Sequence, residues 1–226
     1  MSARARPAPG RYKINVTDQD GGFGQFGGGA WLNDRALWPC DPSTDQPMLP
    51  IVMLTDLFLP SPWLPEGMAV TVFAAIEWQG DRYSRAALRK FTIHQQGELD
   101  TIASVHSKVL LHRRAAQELA CDAGMLPRYY VGLQSFDDHD HAEELGDADN
   151  GAGMSKQLGR PCWLQDAIAE HPRHYFLAQF VESQLRRTDA AYDGLFADGM
   201  GYLFAEHRAN VLREGDTAGY FFIQFT

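Results

Sequence analysis

One short signature occurs twice in this chain, 132 residues apart, and it points to an architecture of two related halves. FGGGAWLND (26–34) lies over LGRPCWLQD (158–166), so that Gly27 meets Gly159, Trp31 meets Trp163, Leu32 meets Leu164 and Asp34 meets Asp166. Gly67-Met68 and Gly199-Met200 fall at the same offset. In each half the signature leads into a proline turn, an apolar strand and a second strand. That order predicts an internal duplication in which the two tryptophans occupy equivalent elements. The residue types suit a scaffold role better than a ligand role. Glycine permits a close turn, tryptophan fills core volume and ties its N–H to a polar partner, and Asp34 and Asp166 are placed to cap local N–H groups.

The rest of the chain reads as sheet-rich. IVML within MLPIVMLTDLFLP, MAVTVFAAIEW (68–78), FTIHQQ (91–96), YYVGLQSF, YFLAQFV, GYLFAEH and the closing GYFFIQFT have strand character. Residues 105–123 carry Val109, Leu110, Ala116, Leu119 and Ala120 at helical spacing, with Gly124 as a stop, and predict one main helix near 107–123. Residues 137–149, DDHDHAEELGDAD, hold seven acidic residues and no basic one, and read as an exposed loop between the halves. The expected fold is α+β and sheet-dominated. Residues 1–18 form a flexible tail, and 19–226 a single domain, with half one over 19–136, the acidic loop over 137–153 and half two over 154–226.

Composition excludes several functions. A net charge of −9 repels phosphate backbones and argues against nucleic-acid binding. The apolar stretch from Pro47 to Pro65 is broken by prolines and Asp56, so no spanning segment is expected. The N-terminus lacks the apolar core of a secretion signal. Cys40, Cys121 and Cys162 are odd in number and widely spaced, which reads as three reduced thiols in a cytoplasmic protein. The glycine-rich segment QDGGFGQFGGG (19–29) lacks the lysine and hydroxyl of a phosphate loop.

No catalytic constellation stands out, and no cofactor or metal is expected. There is no nucleophile elbow of the GxSxG kind. Cys162 reads as a small buried hydrophobe. His171 and His174 flank a turn and are expected at the surface. His139 and His141, among Asp137, Asp138 and Asp140, have the donor types for a divalent metal. A solvated acidic loop and a loop that meets a basic partner are the other readings of that segment. Trp63, in PSPWLP, is either folded onto the core, which is the favoured reading, or held outward by prolines as a candidate interface anchor.

SKQLGRPCWLQD resembles the YwqG-like family through Ser155, Lys156, Leu158, Gly159, Pro161, Trp163 and Gln165. The strand Phe176, Leu177 and Gln179 follows, and then Asp198, Gly199, Tyr202 and Phe204. Phe196-Ala197 stands where that pattern carries Trp-Gly. The match is good over 155–225 and weak over 26–75. The family is similar to the programmed-cell-death-2 type domain that escorts a ribosomal protein, and related domains sit beside polymorphic toxins as immunity proteins. The resemblance therefore implies protein binding, most simply toxin neutralisation by occlusion. An escort chaperone for a basic protein is the alternative, and a small metal-dependent hydrolase is the alternative of another class. On the leading reading Asp137, Asp138, Asp140, Glu143 and Glu144 steer a basic partner, with Trp63 as an anchor.

Overall fold

The computed structural model describes residues 10–58, 63–79, 82–99, 105–121, 124–146, 153–168 and 172–226. Ten strands make one antiparallel sheet: β1 (Tyr12–Thr17), β2 (Gly24–Phe26), β3 (Leu49–Thr55), β4 (Met68–Ala74), β7 (Ser107–Arg113), β8 (Tyr129–Ser135), β9 (Lys156–Gln157), β10 (His174–Val181), β11 (Met200–Glu206) and β12 (Gly219–Gln224). Their order is β12-β11-β10-β9-β1-β8-β2-β3-β4-β7. The two ends of that order approach each other. The Ala218 N–H donates to Val109 O at 2.8 Å, the Leu111 N–H donates to Asp216 O at 3.0 Å, and Leu110 bridges Thr217. The sheet is thus a nearly closed barrel. A separate hairpin, β5 (Trp78–Gln79) and β6 (Arg82–Tyr83), stands outside it. The helices among the described residues are short: α1 (Arg85–Arg89), α2 (Asp138–Leu145) and α3 (Glu182–Thr188).

Alternation along the strands sorts side chains into two cores. Ala178, Phe180, Leu203, Ala205, Phe221 and Ile223 point inward, where they meet Phe26, Leu54, Val72, Leu111 and Val131. The opposite faces of β10–β12 carry Phe176, Tyr202, Phe204 and Phe222, and these are covered by Ile93, Leu99, Cys162 and Ile168. Trp163 lies flat on this outer face, 5.0 Å from the Tyr202 ring and 6.3 Å from those of Phe204 and Phe222. Buried glutamines fasten the covering loop. Gln179 accepts from the Cys162 N–H and donates to Met154 O, while Gln224 accepts from the Leu164 and Gln165 N–H groups and donates to Asp166 O. These bonds satisfy loop backbone groups that burial would otherwise leave unpaired.

Four expectations are corrected. The main helix near 107–123 does not form. Ser107–Arg113 is a strand, and the chain after it runs extended beside the first signature, with the Ala115 N–H on Trp31 O and Ala30 bridging Leu119. Val109, Leu110, Leu111 and His112 are consecutive and all buried because both faces of β7 are covered, and such a run mimics a helical stripe. FTIHQQ is not a strand: Thr92 makes one isolated bridge and Gln96–Glu98 is a 3-10 turn. The tail does not extend to residue 18, since β1 sits mid-sheet between β9 and β8. The acidic segment is not a loop over 138–145 but helix α2. Asp137 accepts from the Asp140 N–H and Asp140 accepts from the Asp137 N–H, each at 2.9 Å. Carboxylates gathered at a helix N-terminus satisfy its orphan N–H groups and complement its dipole, so the acid density is a helix-start signal.

Candidate functional site

A cleft of about 700 Å³ opens between the β5–β6 hairpin with α1 on one side and residues 190–198 on the other. The first wall carries Trp78, Arg82, Tyr83, Arg85 and Leu88. Trp78 is 41% exposed and tilts against the Tyr83 ring at 4.5 Å. The Tyr83 hydroxyl donates to Ala191 O and ties the walls together. Burial and the neighbouring carboxylates hold that phenol far above its ordinary pKa, so it stays a donor. Ser84 accepts from the Ala87 N–H and starts α1, which aims Arg85 outward at the cleft rim.

The second wall is shaped by one buried carboxylate. Glu182, at the start of α3, accepts from the N–H groups of Gly194 (2.8 Å), Phe196 (2.5 Å) and Asp198 (3.0 Å). Burial raises its pKa above the usual value, and the three donors work against that rise. The turn it grips is strained. Ala197 and Asp198 lie in the left-handed region at φ 55° and 63°, a conformation that costs a side-chain-bearing residue about 1 kcal/mol or more. The adjoining Gly199 admits no side chain, because a Cβ would lie 2.0 Å from Gln224 O.

Glu182, Asp193 and Asp198 bring carboxylate oxygens within 4.8 Å of one another, which is metal-ligand spacing. The protein's own groups already serve these oxygens. Arg186 reaches Asp193 at 3.2 Å and Asp198 at 2.7 Å, and Glu182 is taken up by backbone N–H groups. The cluster is best described as a strut that holds the turn. On the opposite flank of α3, Gln184 and Arg187 line a smaller pocket of about 270 Å³ with Lys13, Asp140 and Glu143.

A second polar cluster surrounds Asp41. This buried carboxylate accepts from the Ser43 N–H and hydroxyl, from Lys90 Nζ at 3.0 Å, and faces His106 Nδ1 at 2.9 Å. Lys90 also reaches Ser43 Oγ at 3.0 Å and Glu77 at 2.9 Å. Serine, histidine and acid are all present, but both Ser43 and His106 turn to the acid rather than to each other. The Ser43 hydroxyl is taken up by Asp41 and Lys90, and the cluster pins the 41–46 turn. Burial opposes ionisation of Asp41, yet the hydrogen bonds outweigh it and its pKa lies well below the usual carboxylate range. A depressed folded-state pKa contributes stability above the unfolded value and loses it as pH falls through the folded one. We therefore expect Asp41→Asn to lower stability by about 1–3 kcal/mol at pH 7. Its urea midpoint should also fall less steeply than the parent's between pH 5 and pH 2.

The structure separates the acidic residues expected to act together. Asp137 caps α2, and Asp138 is exposed. Glu143 pairs with His139 at 3.3 Å, and His141 packs on Phe136. Asp140 and Glu144 are corrections, since both turn inward. Asp140 pairs with Lys13 at 2.8 Å, and Glu144 pairs with Lys156, where neither side chain has any exposed surface. Glu144 also accepts from the Arg160 N–H and lies where a Cβ on Gly159 would fall. The acidic helix is thus bolted into the second signature, and only part of its charge remains for steering.

Of the two readings of Trp63 the structure gives the core one, and its candidacy as an anchor is corrected. The side chain is 9% exposed, donates from its indole to Glu206 O at 2.6 Å and meets the Tyr175 ring edge-on. Within the signatures, Gly27 and Gly159 both take positive φ. Trp31 donates to Gln25 Oε1 at 2.8 Å under the Arg114 guanidinium. Asp34 caps the Ala36 N–H as expected, whereas Asp166 offers its backbone carbonyl to Gln224. Asp198 is exposed at the cleft. Cys162 is buried, His174 is partly buried, and His171 lies outside the described residues. Sequence reasoning missed Trp78, Tyr83, Arg82 and Arg85. The available signal was a tryptophan closing an apolar strand just before a polar, arginine-bearing turn. No helix among the described residues is long and apolar enough to cross a membrane. No family model matches the chain, and neither a curated protein nor a solved structure matches it.

Proposed function

We propose that this chain is a cytoplasmic protein-binding module of immunity type, which neutralises a toxin by occluding it, and that the cleft beside Trp78 is the centre of its interface. The observation that carries this reading is the side-chain set at the cleft. A half-exposed tryptophan leans on a tyrosine beside two exposed arginines, and tryptophan, tyrosine and arginine are the residues most enriched among interface hot spots. The family resemblance supports binding over catalysis, and the three free thiols suit a reducing compartment. The strained turn across the cleft fits the tendency of strain to collect at ligand clamps.

The same proposal includes descent from a duplication. It is supported by the sheet order, in which β2-β3-β4-β7 and β9-β10-β11-β12 run outward in sequence on either side of the central β1–β8 pair. The two signatures each follow the short strand that opens one of these series.

The test uses the purified product of the adjacent gene. Trp78→Ala should weaken its binding about 30-fold or more, equivalent to about 2 kcal/mol. The melting curve should stay close to the parent's, because Trp78 is a surface residue. Titration calorimetry reads the first and circular dichroism the second. Equal affinities for parent and variant would remove Trp78 from the interface.

A further inference from the structure

The charges of the cleft are unevenly satisfied. On one wall Asp193 and Asp198 share Arg186. On the other, Arg82 and Arg85 are exposed, and neither has a carboxylate partner among the described residues. On that same wall Trp78 presents a part-exposed ring beside the two arginines. The chain as a whole carries −9, so an unpaired cationic pair beside its exposed tryptophan departs from the general sign of the molecule.

We propose that the cleft takes a segment of a protein partner in which an apolar side chain is flanked by carboxylates. The apolar group covers the exposed Trp78 ring, and the carboxylates reach Arg82 and Arg85. The proposal rests on the protein-binding reading and assigns the chemistry of the segment. Charge complementarity decides the sign. A guanidinium presents a planar fork that matches a carboxylate through two parallel hydrogen bonds and loses little hydration in doing so. A basic segment would instead face two unpaired arginines, and the carboxylates opposite them are already engaged by Arg186. The size is suitable, since about 700 Å³ lies within the range of pockets that enclose several side chains. Whole-molecule repulsion does not forbid such a ligand. At about 0.15 M ionic strength charges more than roughly 8 Å away are largely screened, while contacts at the arginines are not.

The experiment follows the indole N–H resonance of Trp78 in the full chain, assigned through Trp78→Phe. Three blocked pentapeptides are titrated in: Asp-Asp-Phe-Asp-Asp, Lys-Lys-Phe-Lys-Lys and Ser-Ser-Phe-Ser-Ser. The acidic peptide should shift the resonance saturably, with a half-saturation at least tenfold below that of the lysine peptide. The double variant Arg82→Glu/Arg85→Glu should reverse that order. Both positions are exposed, and glutamate suits the first turn of α1, so the variant keeps its fold. Equal or tighter binding of the lysine peptide, no saturable shift with the acidic one, or an unchanged order in the double variant overturns the proposal. If the adjacent-gene product still binds in a Trp78-dependent way, that failure concerns only the segment's chemistry. If Trp78 dependence is lost as well, the protein-binding reading of the cleft falls with it.

Discussion

Glu144→Gln destabilises the fold by about 3–5 kcal/mol, the usual consequence of breaking a buried ion pair from one side. Glu144 and Lys156 are both without exposed surface, and the carboxylate also receives the Arg160 N–H. The substitution leaves an ammonium in the interior with no counter-charge. Burial already lowers the Lys156 pKa, with Glu144 acting against that shift, so loss of Glu144 lowers it further. The sign of the pH dependence follows. The unfolded chain holds the Lys156 proton to higher pH than the folded one, so the variant regains stability as pH rises from 7 toward 10. Urea unfolding across that range checks both statements. The double replacement Glu144→Leu/Lys156→Met should lie near the parent or above it, because apolar pairs of similar volume often equal buried ion pairs. A loss under 1 kcal/mol for Glu144→Gln would mean that water reaches the pair.

The second large effect is at Glu182. Its two oxygens accept three backbone N–H groups in a site with no solvent exposure. Glutamine replaces one acceptor by a donor, so at least one N–H loses its partner and faces another donor. A loss of about 2–4 kcal/mol is expected. The effect is local before it is global. Without the carboxylate, the left-handed pair Ala197 and Asp198 has less to hold it, and the second wall of the cleft relaxes. Amide exchange at Phe196 and Asp198 should therefore quicken well beyond that of β11, and partner affinity should fall even for the folded fraction. Uniform quickening across the molecule would show that Glu182 serves stability alone.

Much of the sheet was legible in the residues. IVML, MAVTVFA, YYVGLQS, YFLAQFV, GYLFAE and GYFFIQ all lie in strands, because β-branched and aromatic residues between turn signals have few other solutions. β7 was misread because two-sided burial removes the period of two that marks a strand. α2 was misread because its helix signal lies in a capping box of aspartates, which composition presents as a solvated run. Trp63 had two readings because its partners, Tyr175 and Glu206, come from far along the chain. The cleft was invisible for the same reason, since its walls come from residues 78–88 and 190–198 and only the fold brings them together.

The placement of β1 sets a schedule for synthesis. This strand is synthesised long before its two neighbours, Tyr129–Ser135 and Lys156–Gln157. Until they emerge its hydrogen-bonding edges have no partner of their own, and the seam beside β7 waits for residues 216–218. Pairings this distant in sequence make folding slow, and open edges invite pairing with other chains. The nascent protein therefore depends on completing β8, β9 and β12 unhindered. Deletion of Gly219–Gln224 would strip β11 of its outer neighbour and leave a molecule prone to join others edge to edge.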